Sequence, residues 1–295
     1  MKSIATWTFL VFGAFMSDAG KTYACSSCGT GGDDPLVLFP NENIKTYVGL
    51  THGRGYRNVL TDGRVVANHG VTNRQTILMA LGMRFSHRAF ITLAVPFVTN
   101  TKESIKEEGF GDPNLGLRYD FLRQTIANPW IPQVQAVVGY KSGQARGPHE
   151  SRHRQLLDVY GSGFDEYRYG ADVWWAMTAL VGGFGYSRTE SIEESTSVGD
   201  QQPGTQDISN ITVGYTNQSL KAISGIVRKR QGQRFAFDGL VPQSDSVAHS
   251  IFSTIEIPIM DQDFVRATYS RGGLVGRNSN TSQSTNFQVA WMRSW

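Results

Sequence analysis

Cysteine is nearly absent: Cys25 and Cys28 are the only two in 295 residues, too few for a disulfide framework. Charge is also sparse, at 18% of residues. A net charge of +3, from 28 scattered basic residues, excludes an extended nucleic-acid surface. Beyond Met16 no run approaches the ~18–20 consecutive apolar residues of a membrane helix, which excludes a helical membrane protein. The mean hydropathy of −0.28 does not exclude a membrane β-barrel, because alternating apolar and polar residues average out. The length allows one large barrel or two ordinary domains.

The N-terminus is a charged Met1-Lys-Ser followed by a short apolar core from Ile4 to Met16, then small residues at Ser17, Ala19, Thr22 and Ala24. This pattern predicts a secretory signal peptide over 1–24, with Ala19 as the other fitting cleavage point. A lipidated Cys25 is disfavoured, because Thr22-Tyr-Ala-Cys25 lacks the leucine usual three positions earlier. Residues 25–41 read as a flexible periplasmic tail. Within it, Cys25-Ser-Ser-Cys28 permits a local disulfide, a thiol redox pair or half of a soft-metal site. A metal would need outside ligands, so the chain is expected to carry no cofactor and no metal of its own.

From about residue 42 to 295 the pattern is strand, turn, strand. Side chains of a strand alternate faces with period two. Ile77, Met79, Leu81, Met83 and Phe85 share one parity, against Thr76, Ala80, Gly82, Arg84 and Ser86 on the other. Segments around 44–50, 91–97, 115–121, 133–141, 167–175, 178–188, 208–216, 247–259 and 263–271 repeat the pattern. Residues 220–230 show two similar faces. The last segment, Asn286 to Trp295, places Phe287, Val289, Trp291 and Trp295 on one parity. So apolar a strand at a chain end needs neighbours on both edges, which a closed barrel provides. About twelve strands of roughly ten residues fit a tilted membrane strand, and an even number closes an antiparallel meander.

Face chemistry separates this from a soluble sandwich, whose polar parity would be uniformly solvated. Here the polar parity is small or carries charges of both signs, as a hydrated lumen would: Arg84, Arg118, Asp120, Arg168, Asp172, Glu256 and Arg266. Aromatics collect near strand ends (Tyr119, Phe121, Tyr140, Trp175, Tyr186), where membrane interfaces hold them. Short turns at 86–88 and 260–262 are expected on the periplasmic side. Polar stretches 52–73, 100–109, 142–160, 190–205 and 231–246 are expected as extracellular loops. The predicted fold class is all-β, an antiparallel transmembrane β-barrel of about twelve strands.

Three pieces together resemble the outer-membrane channel family of the meta pathway of phenol degradation, distantly akin to long-chain fatty-acid channels. They are Phe90-Ile-Thr-Leu-Ala-Val-Pro-Phe97, Gly109-Phe-Gly-Asp-Pro-Asn-Leu-Gly-Leu-Arg-Tyr119, and Gly139-Tyr-Lys-Ser-Gly143 followed by Gly161-Ser-Gly163. The resemblance covers roughly residues 75–295. It implies passive passage of small molecules, hydrophobic or aromatic ones among them, across the outer membrane of a Gram-negative cell. It also implies that Phe287, Val289, Trp291 and Trp295 form the signal read by the barrel-assembly machinery. Arg293 departs from the hydrophobic residue usual at its position.

Enzyme chemistry finds little support. His149-Glu-Ser151 superficially resembles the outer-membrane phospholipase motif, but Arg152-His153 replaces the Asn-Gly that should follow, and the segment reads as a loop. A nucleophile and base need fixed geometry. His149 and His153, spaced for a helical metal pair, sit among Arg146, Arg152 and Arg154, which repel a cation. The same arginines suit lipopolysaccharide phosphates, so lipopolysaccharide and membrane lipid join the expected partners, with a small solute and no nucleic acid. A reading from another class keeps the barrel closed and has Cys25 and Cys28 dock a periplasmic redox or metal partner.

Overall fold

The computed structural model describes residues 36–38, 42–125, 128–152, 156–196, 199–217, 219–236 and 239–295. The expected signal peptide, Cys25, Cys28, His153 and Arg154 lie outside these residues. Seventeen strands are present among the described residues: β1 (Ile44–Val59), β2 (Val65–Ser86), β3 (Ala89–Lys102), β4 (Ile105–Phe110), β5 (Asn114–Leu122), β6 (Gln133–Lys141), β7 (Glu166–Met177), β8 (Leu180–Ser191), β9 (Glu194–Thr196), β10 (Gly199–Gln202), β11 (Gln206–Thr216), β12 (Lys221–Gln231), β13 (Phe235–Ala236), β14 (Gly239–Leu240), β15 (Ser246–Pro258), β16 (Asp263–Gly272) and β17 (Thr281–Ser294). No helix among them is long and apolar enough to cross a membrane.

Twelve staves close an antiparallel ring, with β4 and β5 sharing one stave and the β1–β17 pairing sealing the two ends of the chain. In that seam Leu50 faces Val289 and Val48 faces Trp291. The Trp295 amide donates to the Ile44 carbonyl (2.9 Å), and the Asn43 amide donates to the Trp295 carbonyl (2.8 Å). Closure matters because an unpaired strand edge in hydrocarbon leaves amides and carbonyls unsatisfied, at several kcal/mol each.

The apolar parity points outward. Phe85, Phe121, Ile211 and Val213 are each more than half exposed, and Trp291 and Trp295 share that face. The polar parity is buried: Lys45, Arg118, Asp120, Asp172 and Glu256 all face inward. A protein in water would reverse this arrangement, so the outer surface is solvated by lipid. Residues 220–230, whose two faces are similar in sequence, fall almost wholly in β12 (Lys221–Gln231), with Ile226 outward and Lys221 inward.

Two expected loops turn out to be strand. Residues 52–73 continue β1 and β2 into a tall hairpin closed by a turn at 60–64, where Gly63 takes a positive φ of 85°. Residues 100–109 belong mostly to the β3–β4 hairpin. Both hairpins are polar because they rise beyond the membrane. β2 has 22 residues, roughly twice the ~9–11 that a tilted strand needs to cross. Polar composition there marks water, and backbone pairing continues through it. The stretches 190–205 and 231–246 also pair with each other, through β10 and β13, within a small four-stranded sheet.

Among the described residues before β1, the segment Leu36–Leu38 enters the barrel. Leu36, Val37 and Leu38 are almost fully buried. Leu36 packs on inward-facing Tyr47, Ala80, Ala94, Ala290 and Met292, while Val37 and Leu38 join Phe90. Gly82 makes the room, since a Cβ there would collide with the Leu38 side chain. Burial of three aliphatic side chains contributes about 1.5–3 kcal/mol each.

Candidate functional site in the barrel lumen

Inward-facing charges from distant strands meet in two networks. In the first, Arg118 of β5 donates from Nη1 to the Asp172 carboxylate of β7 (2.8 Å) and to Gln135 Oε1 of β6 (2.7 Å). Gln135 in turn donates to Asp120 (2.6 Å), which also accepts from Arg123 (3.1 Å). Arg118 and Asp120 are thus linked through an amide, and the ion pair of Arg118 is with Asp172. Nearly dry charges keep such geometry because each is paired and hydrogen-bonded.

The second network crosses β15, β16 and β12. Arg266 donates to Glu256 (2.7 Å), and Lys221 lies 3.5 Å from the other oxygen of the same carboxylate. Lys45 pairs with Glu42 at 3.0 Å. Arg84 is elsewhere, at the mouth that holds the 86–88 turn, the start of β1 and the end of β17. It donates to the carbonyls of Leu38 (3.0 Å), Glu42 (3.0 Å) and His87 (3.2 Å), holding the entering segment in place. Arg168 lines a cavity of about 330 Å³ together with Arg74, Lys141, Asp112 and Glu166. The seven expected lumen residues therefore occupy four places, and no single constellation gathers them.

Loop 142–165 folds inward and is held from several sides. Asp112, buried at the break between β4 and β5, accepts from the amides of Ala145 (2.9 Å) and Ser162 (2.7 Å) and from the Ser162 hydroxyl (3.1 Å). Gly161 is needed beside it, because a Cβ there would collide with the carboxylate. Asn100 of β3 donates to the carbonyls of Leu157 (2.8 Å) and Val159 (2.9 Å). Within the loop, burial pushes the Asp158 carboxyl up. Hydrogen bonds from Ser151, the Arg152 amide and Arg146 outweigh this and bring it down to about 2. The Ser151 hydroxyl donates to Asp158, while the His149 ring lies tilted against Phe164 with centroids 4.7 Å apart. Ser151 and His149 thus form no nucleophile–base pair. Among the described residues no group of three His, Cys, Asp or Glu could hold a metal ion.

A larger chamber, about 660 Å³, adjoins the smaller cavity at Thr76 and Leu78 of β2 and extends along β1, β12, β15, β16 and β17. Sequence reasoning missed this chamber, the part played by Asp112 and the buried Leu36–Leu38. A signal existed for the last, an apolar triplet inside an otherwise polar tail. Lys45 and Lys221 were also legible, since each lies on the inward parity of its strand.

No protein-family model and no curated protein matches the chain. Solved structures do. The COG4313 outer membrane channel from Pseudomonas putida F1 superposes with a TM-score of 0.75 at 11% identity, over 90% of this chain and 99% of that one. The translocator domain of the autotransporter NalP from Neisseria meningitidis gives a TM-score of 0.50 at 10% identity, over 86% of this chain and 88% of that one. The fold is shared. The first of these neighbours is an outer-membrane channel.

Proposed function

We propose that this protein is an outer-membrane channel of a Gram-negative cell, for passive passage of small molecules, hydrophobic or aromatic ones among them. The observation that carries the reading is a closed barrel with a lipid-facing apolar exterior that encloses cavities of about 660 Å³ and 330 Å³. Ligand sites of ~300–1,000 Å³ accommodate small molecules. No reactive residue is required: a shaped lumen gives weak binding and selection. Residues 1–24 act as the signal peptide and 25–41 as the periplasmic tail, whose Leu36–Leu38 narrow the exit. The terminal face of Phe287, Val289, Trp291 and Trp295 recruits the barrel-assembly machinery, and Arg152 with its neighbours meets lipopolysaccharide. Membership of the meta-pathway channel family rests on three pieces together, Phe90–Phe97, Gly109–Tyr119, and Gly139–Gly143 with Gly161–Gly163.

Reconstituted protein is the test. Planar bilayers should acquire discrete conductance steps, and liposomes should swell in small uncharged solutes. Silent bilayers together with liposomes that do not swell would overturn the reading.

A further inference from the structure

We propose that the outer wall formed by β12, β15, β16, β17 and β1 is a docking surface for lipopolysaccharide, the phosphorylated glycolipid of the outer leaflet. The surface rests on the outer-membrane reading for the leaflet it meets. It is separate from Arg152, whose loop folds into the lumen.

Strand parity sets the surface. Val227, Lys229, Ser270 and Gly272 line the larger chamber, so Arg228, Arg230 and Arg271, which alternate with them, point out. On β1, Gly53 faces in, because a Cβ there would collide with the Asn286 side chain, and Asn286 lines the chamber. Arg54 therefore points out as well. All four arginines are exposed. Each stands just beyond the apolar band on its own strand, on the side away from the chain ends. Arg228 follows Ile226, Arg271 follows Tyr269, and Arg54 follows Leu50 with His52 between.

Register sets the spacing. Arg271 and Arg54 are both level with Thr285 of β17, two strand spacings or about 10 Å apart. Ile251 of β15 is level with Ile226 and with Arg271, so Arg228 stands one outward position higher than Arg271, at about 12 Å. Arg230 lies about 7 Å beyond Arg228 on the same strand. No small anion bridges these steps, whereas a headgroup with several phosphates spans them.

Charge balance selects the sign. Among the described residues these five strands hold two carboxylates, Glu256 and Asp263, both buried and both towards the opposite end at the 260–262 turn. The neighbouring sector differs, because Arg188 of β8 is paired there with Asp207 of β11 at 2.9 Å. Asp207 is also level with Arg230, which makes Arg230 the weakest of the four. Arg228, Arg271 and Arg54 meet no carboxylate on their own wall. Tyr56 and Tyr269, beside Arg271, add the phenols of a membrane interface. Arginine's planar fork matches phosphate oxygens, and basic residues beside an apolar span attract anionic headgroups. Acyl chains lie along Leu50, Ile226 and Phe287 while the phosphates meet the arginines.

Titration of the purified full chain with fluorescent lipopolysaccharide in mixed micelles tests this. The parent should bind it at least about tenfold more tightly than the same glycolipid stripped of phosphate, and than phosphatidylglycerol. Each arginine lost should weaken binding about fivefold, so Arg228→Gln with Arg271→Gln should weaken it more than about tenfold. Arg228→Lys with Arg271→Lys should keep most of the affinity. Lys106→Gln, which removes a cation paired with Glu108 on the β3–β4 hairpin, should leave it unchanged. The mobility shift between folded and unfolded barrel on gels checks that each variant is folded. Unweakened binding by the glutamine pair, or equal binding of either comparison lipid, would overturn the proposal. Displacement by millimolar inorganic phosphate would also overturn it, by assigning the arginines to a free anion. Lipopolysaccharide bound through these arginines by a barrel that conducts nothing would support the surface while ending the channel reading.

Discussion

Arg118 and Asp172 lie on strands separated by β6, their side chains almost fully dry, and neither charge has water to fall back on. Removing one partner takes this ion pair away from a buried charge, which costs about 3–5 kcal/mol. Arg118→Ala should therefore lower the stability of the folded barrel by that order. The measurement is urea-induced unfolding in detergent, followed by the mobility shift between folded and unfolded barrel on gels. A loss below about 1 kcal/mol would mean that Asp172 finds another cation. Gln135 shows why an amide stands between Arg118 and Asp120: it accepts from one and donates to the other, so two opposite charges are satisfied without touching.

Loop 142–165 is where an element decides the bore. It carries few apolar anchors, chiefly Leu157, Val159 and Phe164, and its inward position depends on an acceptor, Asp112, and on donors, Asn100 and Arg74, that reach it from elsewhere. Asp112→Ala removes three hydrogen bonds to a carboxylate, each worth about 1.5–3 kcal/mol. The variant should conduct more than the parent and be cut faster by protease within residues 142–165. Unchanged conductance and cleavage would show that Asn100 and the buried side chains hold the loop alone. The Asp158 cluster adds a pH dependence whose sign follows from its depressed pKa. Its contribution is complete above the ordinary value of 3.8 and is lost as pH falls from there through about 2. Conductance should stay level from neutral pH down to about 4 and change only below it; a transition near pH 6 would assign the control to another group. The terminal element has its own test. Deleting Trp291–Trp295 removes the end of β17 and its pairing with Val48 and the residues before it, so the chain should fail to insert and accumulate as a periplasmic aggregate. Folded truncated protein recovered from the outer membrane would contradict this.

At the scale of the whole molecule, the barrel is inside-out relative to a protein in water, and its stability is inseparable from lipid. A charge on the outer wall should be costly where the same charge inside is tolerated. Val213 faces outward on β11 and its neighbour Thr212 faces inward. Val213→Arg should destabilise the membrane-inserted state by about 2–4 kcal/mol if the position lies near the bilayer midplane. Thr212→Ser should lie within about 0.5 kcal/mol of the parent. Reversible unfolding in lipid vesicles measures both, and an unaffected Val213→Arg barrel would place that face in water.

Which face each residue takes, roughly how many staves there are, and that the last strand must meet the first were all legible in the chain. They were legible because side-chain alternation is a local property with period two: a run such as Ile77 to Phe85 reports its own orientation whatever surrounds it. The same rule misread 52–73 and 100–109. Strand beyond the membrane keeps its backbone pairing and loses the apolar parity that announces it. The partners of the charges were another matter. That Arg118 meets Asp172, that Lys221 shares Glu256 with Arg266, and that loop 142–165 and Leu36–Leu38 fold into the lumen were decided only in three dimensions. Strand register and tilt set which inward residues of different strands come level, and loop position sets what fills the space between them. Both depend on ring closure and on contacts between segments far apart in the chain, which no local period records.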